Sequence, residues 1–573
     1  MVVAERERKE GMTMRRKLIL SLLLCLALAA LLGVVASAEA APLQFNVSFA
    51  PSVHTTPLDG RLLVFISTTN DPEPRLQADA GGVTDGPPFW GMDVDDMQPG
   101  APVVFGGASV YGFPLASLDQ LPAGDYHVQA LLNVYTTFHR ADGSVVKLHL
   151  PGGDGNDPFI SPGNLMSTPT LLHLDPDVGG TYDLALDQEL PPLEPVPAGG
   201  TIQQGNPPDT KHDKHIKIKS ALLSKFWGRP MYIAADVLLP RGYSDPKNRK
   251  VRYPVAWHQG HFGERVIYFD EGLGDELSRW WMSKSAPRFI LVSLRHENPF
   301  YDGSYAVNTA NLGPYGDAIT KELMPAVERS FRIIRARWAR VVGGVSMGGW
   351  ESAAQMIFYP DLYSGAWVFS PDPLDFHRLQ LVDIYDDLNA YFVDYPSSLL
   401  AQPAERDDSG SVLFTMEQAN HWELALGNHS RSAWGAWDFY DAAFGPQGAD
   451  GYPAPIWDKQ TGVIDHAVAD QWRRMDLGDY VQRHWATLGP KIAGRMFFYC
   501  GLADNVYYEY PTKLFQKDTK RLTHPKADFR FRYGPHGVHP WLPMSIPELL
   551  TDMATYMARQ APDGTDVSGW IKM

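Results

Sequence analysis

The stretch RWARVVGGVSMGGWESAAQMIFYP, residues 337–360, decides the fold. It predicts a short β-branched strand, a glycine-rich turn and then a helix. The turn contains Gly344-Val345-Ser346-Met347-Gly348, a G-x-S-x-G pattern. In this pattern the serine lies on a sharp strand-to-helix bend, and the two glycines remove the Cβ atoms that would clash there. The Met347 N–H at the start of the helix has no intrahelical partner and can bind an oxyanion.

A G-x-S-x-G pattern by itself also occurs in ordinary glycine-rich turns. The context that favours a nucleophile is a strand before the serine and a helix after it. Both are indicated here, because Val341, Val342 and Val345 are apolar and β-branched and the residues after Trp350 suit a helix. We therefore interpret Ser346 as a candidate nucleophile.

The chain around this turn alternates between predicted strands and helices from residue 211 to residue 573. The predicted strands are residues 216–219, 232–240, 253–258, 288–293, 340–345, 365–370, 495–500 and 527–533. Helices are expected at 318–331, after Ser346 and at 546–560. This alternation is typical of a mostly parallel sheet covered on both faces, an α/β fold. The aromatic-rich segment of about 371–490 is too long for one crossover, and we expect a largely helical insertion over the site.

Residues 41–189 have a different character and predict a separate domain. They are rich in Gly, Pro and Asp, and their short alternating runs, of which 125–135 is the longest, are separated by turn signals. This pattern indicates an all-β, sandwich-like domain, interpreted as a packing module, with carbohydrate binding as the alternative. The proline- and glycine-rich residues 190–210 predict a linker.

Composition excludes some classes of function. The 573-residue chain has a net charge of -16 and a pI near 5.5, which argues against a nucleic-acid partner. Residues 1–40 contain Arg15-Arg16-Lys17, an apolar run and small residues near Ala38, and they predict a cleaved signal peptide and a secreted or periplasmic protein, with an uncleaved anchor as the alternative. Cys25 lies in this leader, and the remaining thiol, Cys500, is expected to be buried.

A serine hydroxyl is a weak nucleophile unless a base takes its proton and a third group orients that base. In hydrolases with this turn, the acid and then the histidine follow the serine, in loops after strands. For the acid, Asp504 directly follows the apolar strand that ends at Cys500. Asp372 and Asp375, after an earlier strand, are the alternatives.

For the base, the last predicted strand leads into GPHGVHPW, residues 534–541, which holds two histidines. His539 stands in a Gly-x-His-x-Trp sequence, whose glycine lets the loop fold back over the site. His536 is closer to the end of the strand. The residues favour His539 and leave His536 open.

The second oxyanion donor should come from the loop after an early strand, and WHQGHFG, residues 257–263, fits. Gln259 and Gly260 are the candidate positions, since Gly260 permits close approach of the backbone. His258 with His261, and His212 with His215, resemble metal pairs. Neither pair has a third ligand at a suitable spacing, so we expect no metal and no cofactor.

Five segments together resemble a known family; in chain order they are YPVAWHQGHFGE, NLGPYGDAITKELMPAVERSF, GGVSMGGWES, YCGLADNVYYEY and GVHPW. The family that they resemble is the putative esterase family of α/β-hydrolases, to which enterochelin and feruloyl esterases and mycolyltransferases belong. The resemblance covers residues 211–559. It implies an α/β-hydrolase fold with Ser346 as nucleophile, Asp504 as acid and His539 or His536 as base. Tyr315 and Glu322 match structural positions of the family. The HQGH loop and the long insertion depart from its pattern.

The expected function is that of an exported serine esterase acting on small-molecule or polysaccharide-linked esters through a Ser-His-Asp triad and an acyl-enzyme. An acyltransferase with the same triad is one alternative. The other is a non-catalytic carbohydrate-binding surface protein, in which the triad histidine would face away from Ser346. The residues give no indication of oligomeric state.

Overall fold

The computed structural model describes residues 42–78, 82–152, 157–193, 205, 208–261, 263–395, 398–428 and 436–571. The predicted leader and most of the predicted linker lie outside these residues. Within the described ranges, no helix combines the length and the apolar character that a membrane span requires.

The first part of the chain forms one hydrogen-bonded network of ten strands. These strands are β1 (Leu43–Phe49), β2 (Leu58–Ser67), β3 (Phe89–Met97), β4 (Val103–Phe105), β5 (Tyr111–Phe113), β6 (Gly124–His139), β7 (Val145–His149), β8 (Leu165–Ser167), β9 (Thr170–Leu174) and β10 (Gly180–Glu189). Their order is β4-β1-β10-β8-β6-β2-β3-β5, and β7 and β9 also pair with β6. We call residues 42–190 the N-terminal β-region.

A second sheet has eight strands, and five of its seven neighbouring pairs are parallel. They are β11 (Asp213–Ser220), β12 (Met231–Leu238), β13 (Val255–Gln259), β14 (Ile290–Arg295), β17 (Arg340–Val345), β18 (Gly365–Phe369), β23 (Met496–Gly501) and β24 (Arg530–Gly534). Their order is β11-β12-β14-β13-β17-β18-β23-β24, with β12 antiparallel to both neighbours. This sheet has the α/β-hydrolase type of architecture. The short strands β15 (Asn308–Thr309) and β16 (Gly313–Pro314) pair separately.

Helices cover the eight-stranded sheet on both faces. The described helices are α1 (Gly82–Asp85), α2 (Ala221–Trp227), α3 (Glu276–Trp281), α4 (Tyr315–Asp317), α5 (Met324–Ser330), α6 (Met347–Phe358), α7 (Met416–Gly427), α8 (Ala436–Phe444), α9 (His466–Trp472), α10 (Leu477–Ile492), α11 (Glu509–Thr519) and α12 (Ile546–Gln560), with a π-helical segment, Ala318–Leu323, between α4 and α5. On one face of the sheet, α12 packs against Val341, Trp367 and Phe497. On the opposite face, α6 packs against the sheet in a second apolar cluster. Strands buried on both faces are continuous apolar runs, which is why the sequence pattern was clear here.

The segment 371–490 is mixed rather than largely helical in its described part. Besides α7 to α10 it contains two hairpins, made of β19 (Phe392–Tyr395) with β20 (Ser398–Ala401) and of β21 (Pro403–Arg406) with β22 (Val412–Thr415). The second hairpin forms because its turn is rich in Asp, Ser and Gly. The carboxylate of Asp407 accepts the backbone N–H groups of Ser409 and Ser411, which favours a tight turn over a helix.

Tyr315 and Glu322, which match structural positions of the family, make contacts that stabilise the fold. Tyr315 is buried and its hydroxyl donates to the Glu297 carbonyl over 2.8 Å. The carboxylate of Glu322 accepts the backbone N–H groups of Ala221 and Leu222, each over 3.1 Å, and so caps α2. Cys500 is buried on β23, as expected.

Candidate active site

Ser346 stands between β17 and α6 in a strained backbone conformation, with φ of 56° and ψ of -123°. Its neighbours explain why the turn needs glycine. A Cβ atom at Gly344 would lie 2.4 Å from the Gln259 carbonyl oxygen, and one at Gly348 would lie 2.1 Å from the same atom. The elbow therefore packs directly against the end of β13, which no larger residue would permit.

The structure brings His539 and Asp504 to Ser346. The Nε2 atom of His539 lies 3.0 Å from Ser346 Oγ, and its Nδ1 atom lies 2.9 Å from Asp504 Oδ2. Asp504 is fully buried after β23, where its other oxygen accepts the backbone N–H groups of Val506 and Tyr508. The three groups form a continuous hydrogen-bonded chain that can move a proton from the hydroxyl to the imidazole.

The two histidines of the last loop are in different positions. His536 is exposed, whereas His539 reaches the serine. The backbone N–H of His539 donates to Asn505 Oδ1 over 2.9 Å, and Asn505 in turn donates to the Arg406 carbonyl. Sequence reasoning missed Asn505 as a positioning residue, although its place next to Asp504 was a usable signal.

The loop after β13 was predicted to supply the second oxyanion donor. Gln259 is fully buried, and its carbonyl faces the elbow glycines. The backbone N–H of His261 donates to Glu264 Oε2 over 3.2 Å and is therefore engaged. Gly260 lies between them, and a Cβ there would meet Glu264 Oε2 at 2.3 Å, so the close turn requires glycine. Of the two candidates, Gln259 is the last residue of β13 and pairs with Gly344 of β17, whereas Gly260 follows the end of the strand.

The buried imidazole of His296 contacts the side chain of Gln259, at the start of this loop. His296 Nδ1 accepts the Ser304 N–H over 2.9 Å, so the neutral ring carries its proton on Nε2. Nε2 then donates to Gln259 Oε1 over 3.2 Å. Burial lowers the pKa of His296 to about 4, which keeps the ring neutral and this tautomer fixed. Glu351, also fully buried, has its carboxyl 3.8 Å from the same nitrogen, and burial raises its pKa.

Asp372, an alternative for the acid, contacts the serine rather than the histidine. Its Oδ1 atom lies 3.3 Å from Ser346 Oγ. Its Oδ2 atom accepts the hydroxyls of Tyr305 and Tyr440, and the Tyr440 hydroxyl lies 2.8 Å from that of Tyr508. Burial raises the pKa of Asp372. The tyrosines come from three segments that are far apart in the chain, so sequence reasoning could not bring them together.

These groups open into a cavity of about 400 Å³ beside Ser346. Its polar end has Ser346, Asp372 and the tyrosine hydroxyls, and the rest is mainly apolar. The apolar lining residues are Val83, Phe300, Ala404, Phe414, Ala419, Trp422, Trp437, Phe439 and Val506. A mostly apolar pocket of this size with a few convergent polar groups is typical of a small-molecule site. His261 stands at its edge, and the carboxylate of Asp302 beside it raises the pKa of the imidazole.

The predicted histidine pairs do not converge as metal ligands. His212 contacts Glu271, and His261 contacts Asp302. Within the described ranges, Asp375, His377 and Asp476 have atoms close enough for a shared cation. These atoms already have protein partners: His377 Nδ1 bonds to Asp375, and Asp476 accepts the Phe376 N–H and the Tyr385 hydroxyl. The second acid alternative, Asp375, thus belongs to this cluster.

Adding a methyl group at the elbow should disable the site. In a Gly348→Ala variant the new Cβ must push the Gln259 carbonyl away, which moves the neighbouring Gly260 N–H. We expect kcat/KM for p-nitrophenyl acetate to fall about 100-fold or more, because shifts near 1 Å have that effect. Gly569→Ala, at an exposed glycine with no atom near its Cβ, is the matched control. Full activity of Gly348→Ala would mean that this packing does not hold the oxyanion loop.

Comparison with known proteins supports an esterase assignment. The family model described as "Putative esterase" matches residues 227–459, which include the elbow and the loop after β13. An endo-1,4-beta-xylanase/feruloyl esterase of Xylanibacter ruminicola is 27% identical over 144 residues, covering 23% of this chain and 18% of that protein. The chain thus matches about a fifth of the length of this curated relative.

Two solved structures are similar over most of their own length. A ferulic acid esterase aligns at 15% identity and a TM-score of 0.34, covering 61% of this chain and 98% of the other. An S-formylglutathione hydrolase from Agrobacterium tumefaciens aligns at 13% identity and a TM-score of 0.32, covering 61% and 95%. The family match covers residues 227–459 and confirms the resemblance to the putative esterase family seen in the sequence.

Proposed function

We propose that this chain hydrolyses carboxylic esters through Ser346, His539 and Asp504 with a covalent acyl-enzyme. The observation that supports this most is the pair of contacts at His539, 3.0 Å to the serine hydroxyl and 2.9 Å to the Asp504 carboxylate. A non-catalytic protein would have no need to hold a strained serine against an imidazole.

The proposed reaction has two halves. His539 takes the Ser346 proton as Oγ attacks the ester carbonyl, and the oxyanion is held by the N–H groups of Met347 and Gly260. His539 then gives that proton to the leaving alkoxide, which departs as an alcohol. Water enters, loses a proton to the same imidazole and attacks the acyl carbon; the imidazolium then returns a proton to Ser346 Oγ as the acid leaves. Asp504 keeps Nδ1 protonated throughout and stabilises the imidazolium.

The test is pre-steady-state kinetics with p-nitrophenyl acetate. An acyl-enzyme predicts a burst of p-nitrophenolate of up to one equivalent per site where deacylation is slower than acylation. A fluorophosphonate probe should also modify one serine, and peptide mapping should locate it at Ser346. Modification of any other serine, with Ser346 unmodified, would contradict the proposal.

A further inference from the structure

We propose that the N-terminal β-region is a working part of the active site, which supplies one wall of the acyl cavity and fixes two others. The region thereby sets the size of acyl group that the enzyme accepts. This inference rests on the proposed function, because it concerns the specificity of the same Ser346 site.

The position of the leaving group indicates which half of the ester enters the cavity. The leaving oxygen must lie against His539 Nε2, because it takes its proton from that atom. The described residues that line the cavity include Ser346, Met347 and His261 but not His539. The cavity lies against Ser346, Met347 and His261, on the side of the serine where the proposed oxyanion donors are, and we assign it to the acyl group. Its mostly apolar lining favours a bulky, apolar acyl group.

One wall comes directly from the N-terminal β-region. Val83, in the short helix α1 between β2 and β3, lines the cavity together with Trp422 of α7. The same two residues belong to a shared apolar cluster with Phe65 and Phe89 of the ten-stranded sheet. The Trp422 ring packs edge-on against Phe89 with the ring centres 6.3 Å apart. A residue more than 260 positions before Ser346 thus contacts the space where substrate binds.

A second wall, α7, is held at its C-terminal end by Arg61 of β2. Arg61 is 1% exposed, and its guanidinium donates to the Leu424 carbonyl over 3.1 Å and to the Ala425 carbonyl over 2.8 Å. These carbonyls are in the last turn of the helix, where a positive charge is favourable, and the Leu424 carbonyl also accepts the backbone N–H of Asn428. Gly91 of β3 permits the approach, since a Cβ there would lie 2.0 Å from the Ala425 oxygen.

The third wall is the loop at residues 298–306, which supplies Phe300, Tyr301 and Tyr305 to the cavity. This loop is strained: Tyr301, Asp302, Tyr305 and Ala306 all have positive φ values, of 66°, 60°, 56° and 53°. Such conformations persist only where surrounding structure enforces them.

The N-terminal β-region provides contacts that hold this loop. The Tyr301 hydroxyl donates to Asn133 Oδ1 of β6 over 2.8 Å. The Tyr301 ring also stacks on His149 of β7, with the ring centres 4.3 Å apart and the planes at 7°. Tyr301 is fully buried between these partners. The position of this loop, and of the Asp302 carboxylate that contacts His261, thus depends on β6 and β7.

The direct test narrows the cavity from the N-terminal side. Val83→Trp places a large ring against Trp422 and should exclude a long acyl chain more than a short one. We expect the ratio of kcat/KM for p-nitrophenyl octanoate to that for p-nitrophenyl acetate to fall about tenfold or more, as is typical when a pocket excludes part of a substrate. The matched control is Val178→Trp, the same substitution in the same region at a valine that is 70% exposed.

A second pair of variants tests whether the N-terminal β-region positions α7. Arg61→Ala should release α7 and raise KM for the octanoate ester by about fivefold or more, since a small displacement of a binding wall has effects of this order. Its control is Arg75→Ala. Arg75 is also a buried arginine of the N-terminal β-region, but its guanidinium donates to the Phe159 carbonyl and to Glu73, which lie within that region. Both variants are normalised by fluorophosphonate titration of active sites, so loss of folded protein alone leaves KM unchanged.

The outcomes separate this inference from the proposed function. The inference would be overturned if folded Val83→Trp kept the wild-type ratio of kcat/KM for the two esters and folded Arg61→Ala kept the wild-type KM, while turnover still needed Ser346. The proposed triad would then remain intact. Turnover that does not need Ser346 would overturn the proposed function. A changed ratio in Val83→Trp with an unchanged ratio in Val178→Trp is the result expected.

Discussion

Replacing Ser346 with alanine should lower kcat for p-nitrophenyl acetate by about 10⁴-fold or more, because loss of one member of a catalytic triad removes the covalent route. The remaining rate would come from the oxyanion donors and from binding. Alanine also removes the atom that a fluorophosphonate modifies, so labelling should disappear with turnover. The measurement is steady-state hydrolysis on purified protein, with labelling followed by intact mass.

The variant should remain folded, which makes the result interpretable. Ser346 has a positive φ of 56°, and alanine, like serine, has a Cβ, so the backbone strain is unchanged. Ser364→Ala is the matched control: its hydroxyl is buried before β18, where it donates to the Arg340 carbonyl. If Ser346→Ala kept more than about a tenth of the activity, a triad mechanism at this residue would be untenable.

The parts of the fold that could be predicted are those with local causes. The elbow requires a strand, two glycines around a serine, and a helix, and all of these lie within a few residues of Ser346. The last helix was predicted at 546–560 and is found at Ile546–Gln560. Its start is fixed by a capping box in which Ser545 and Glu548 satisfy each other's backbone N–H groups.

The parts that could not be predicted depend on contacts between distant segments. Arg61 lies 364 residues before its partner Ala425, and no pattern around either residue indicates the pairing. Asp372 has its tyrosine partners 67 and 68 residues away, on opposite sides in the chain. The segment 371–490 was expected to be a largely helical insertion because of its length and its several aromatic segments, whereas its described part also contains two hairpins.

The second large effect should distinguish Asp504 from Asp372. Asp504→Asn leaves the shape of the site intact, but an amide that donates to His539 Nδ1 favours the wrong tautomer, whose Nε2 carries a proton and cannot accept one from Ser346. We expect kcat to fall about 10³- to 10⁴-fold, as for loss of the orienting carboxylate in other triads. Steady-state kinetics of the two asparagine variants, normalised to folded protein, would measure the contrast.

Asp372→Asn should behave differently because Asp372 contacts the Ser346 hydroxyl and two tyrosine hydroxyls rather than the imidazole. If His539 Nδ1–H is donated to Asp504, then Nε2 accepts the only proton of Ser346 Oγ. The contact of 3.3 Å between Ser346 Oγ and Asp372 Oδ1 is a second, longer contact of the same hydroxyl, and Asp372 Oδ2 accepts two tyrosine hydroxyls. In an asparagine at this position the amide oxygen can still accept the tyrosine hydroxyls and the NH₂ group can donate to Ser346 Oγ, so activity should stay within about tenfold of wild type, the range of one neutral hydrogen bond. The opposite order of effects, with Asp372→Asn the more damaging variant, would assign the orienting role to Asp372 and remove Asp504 from the triad.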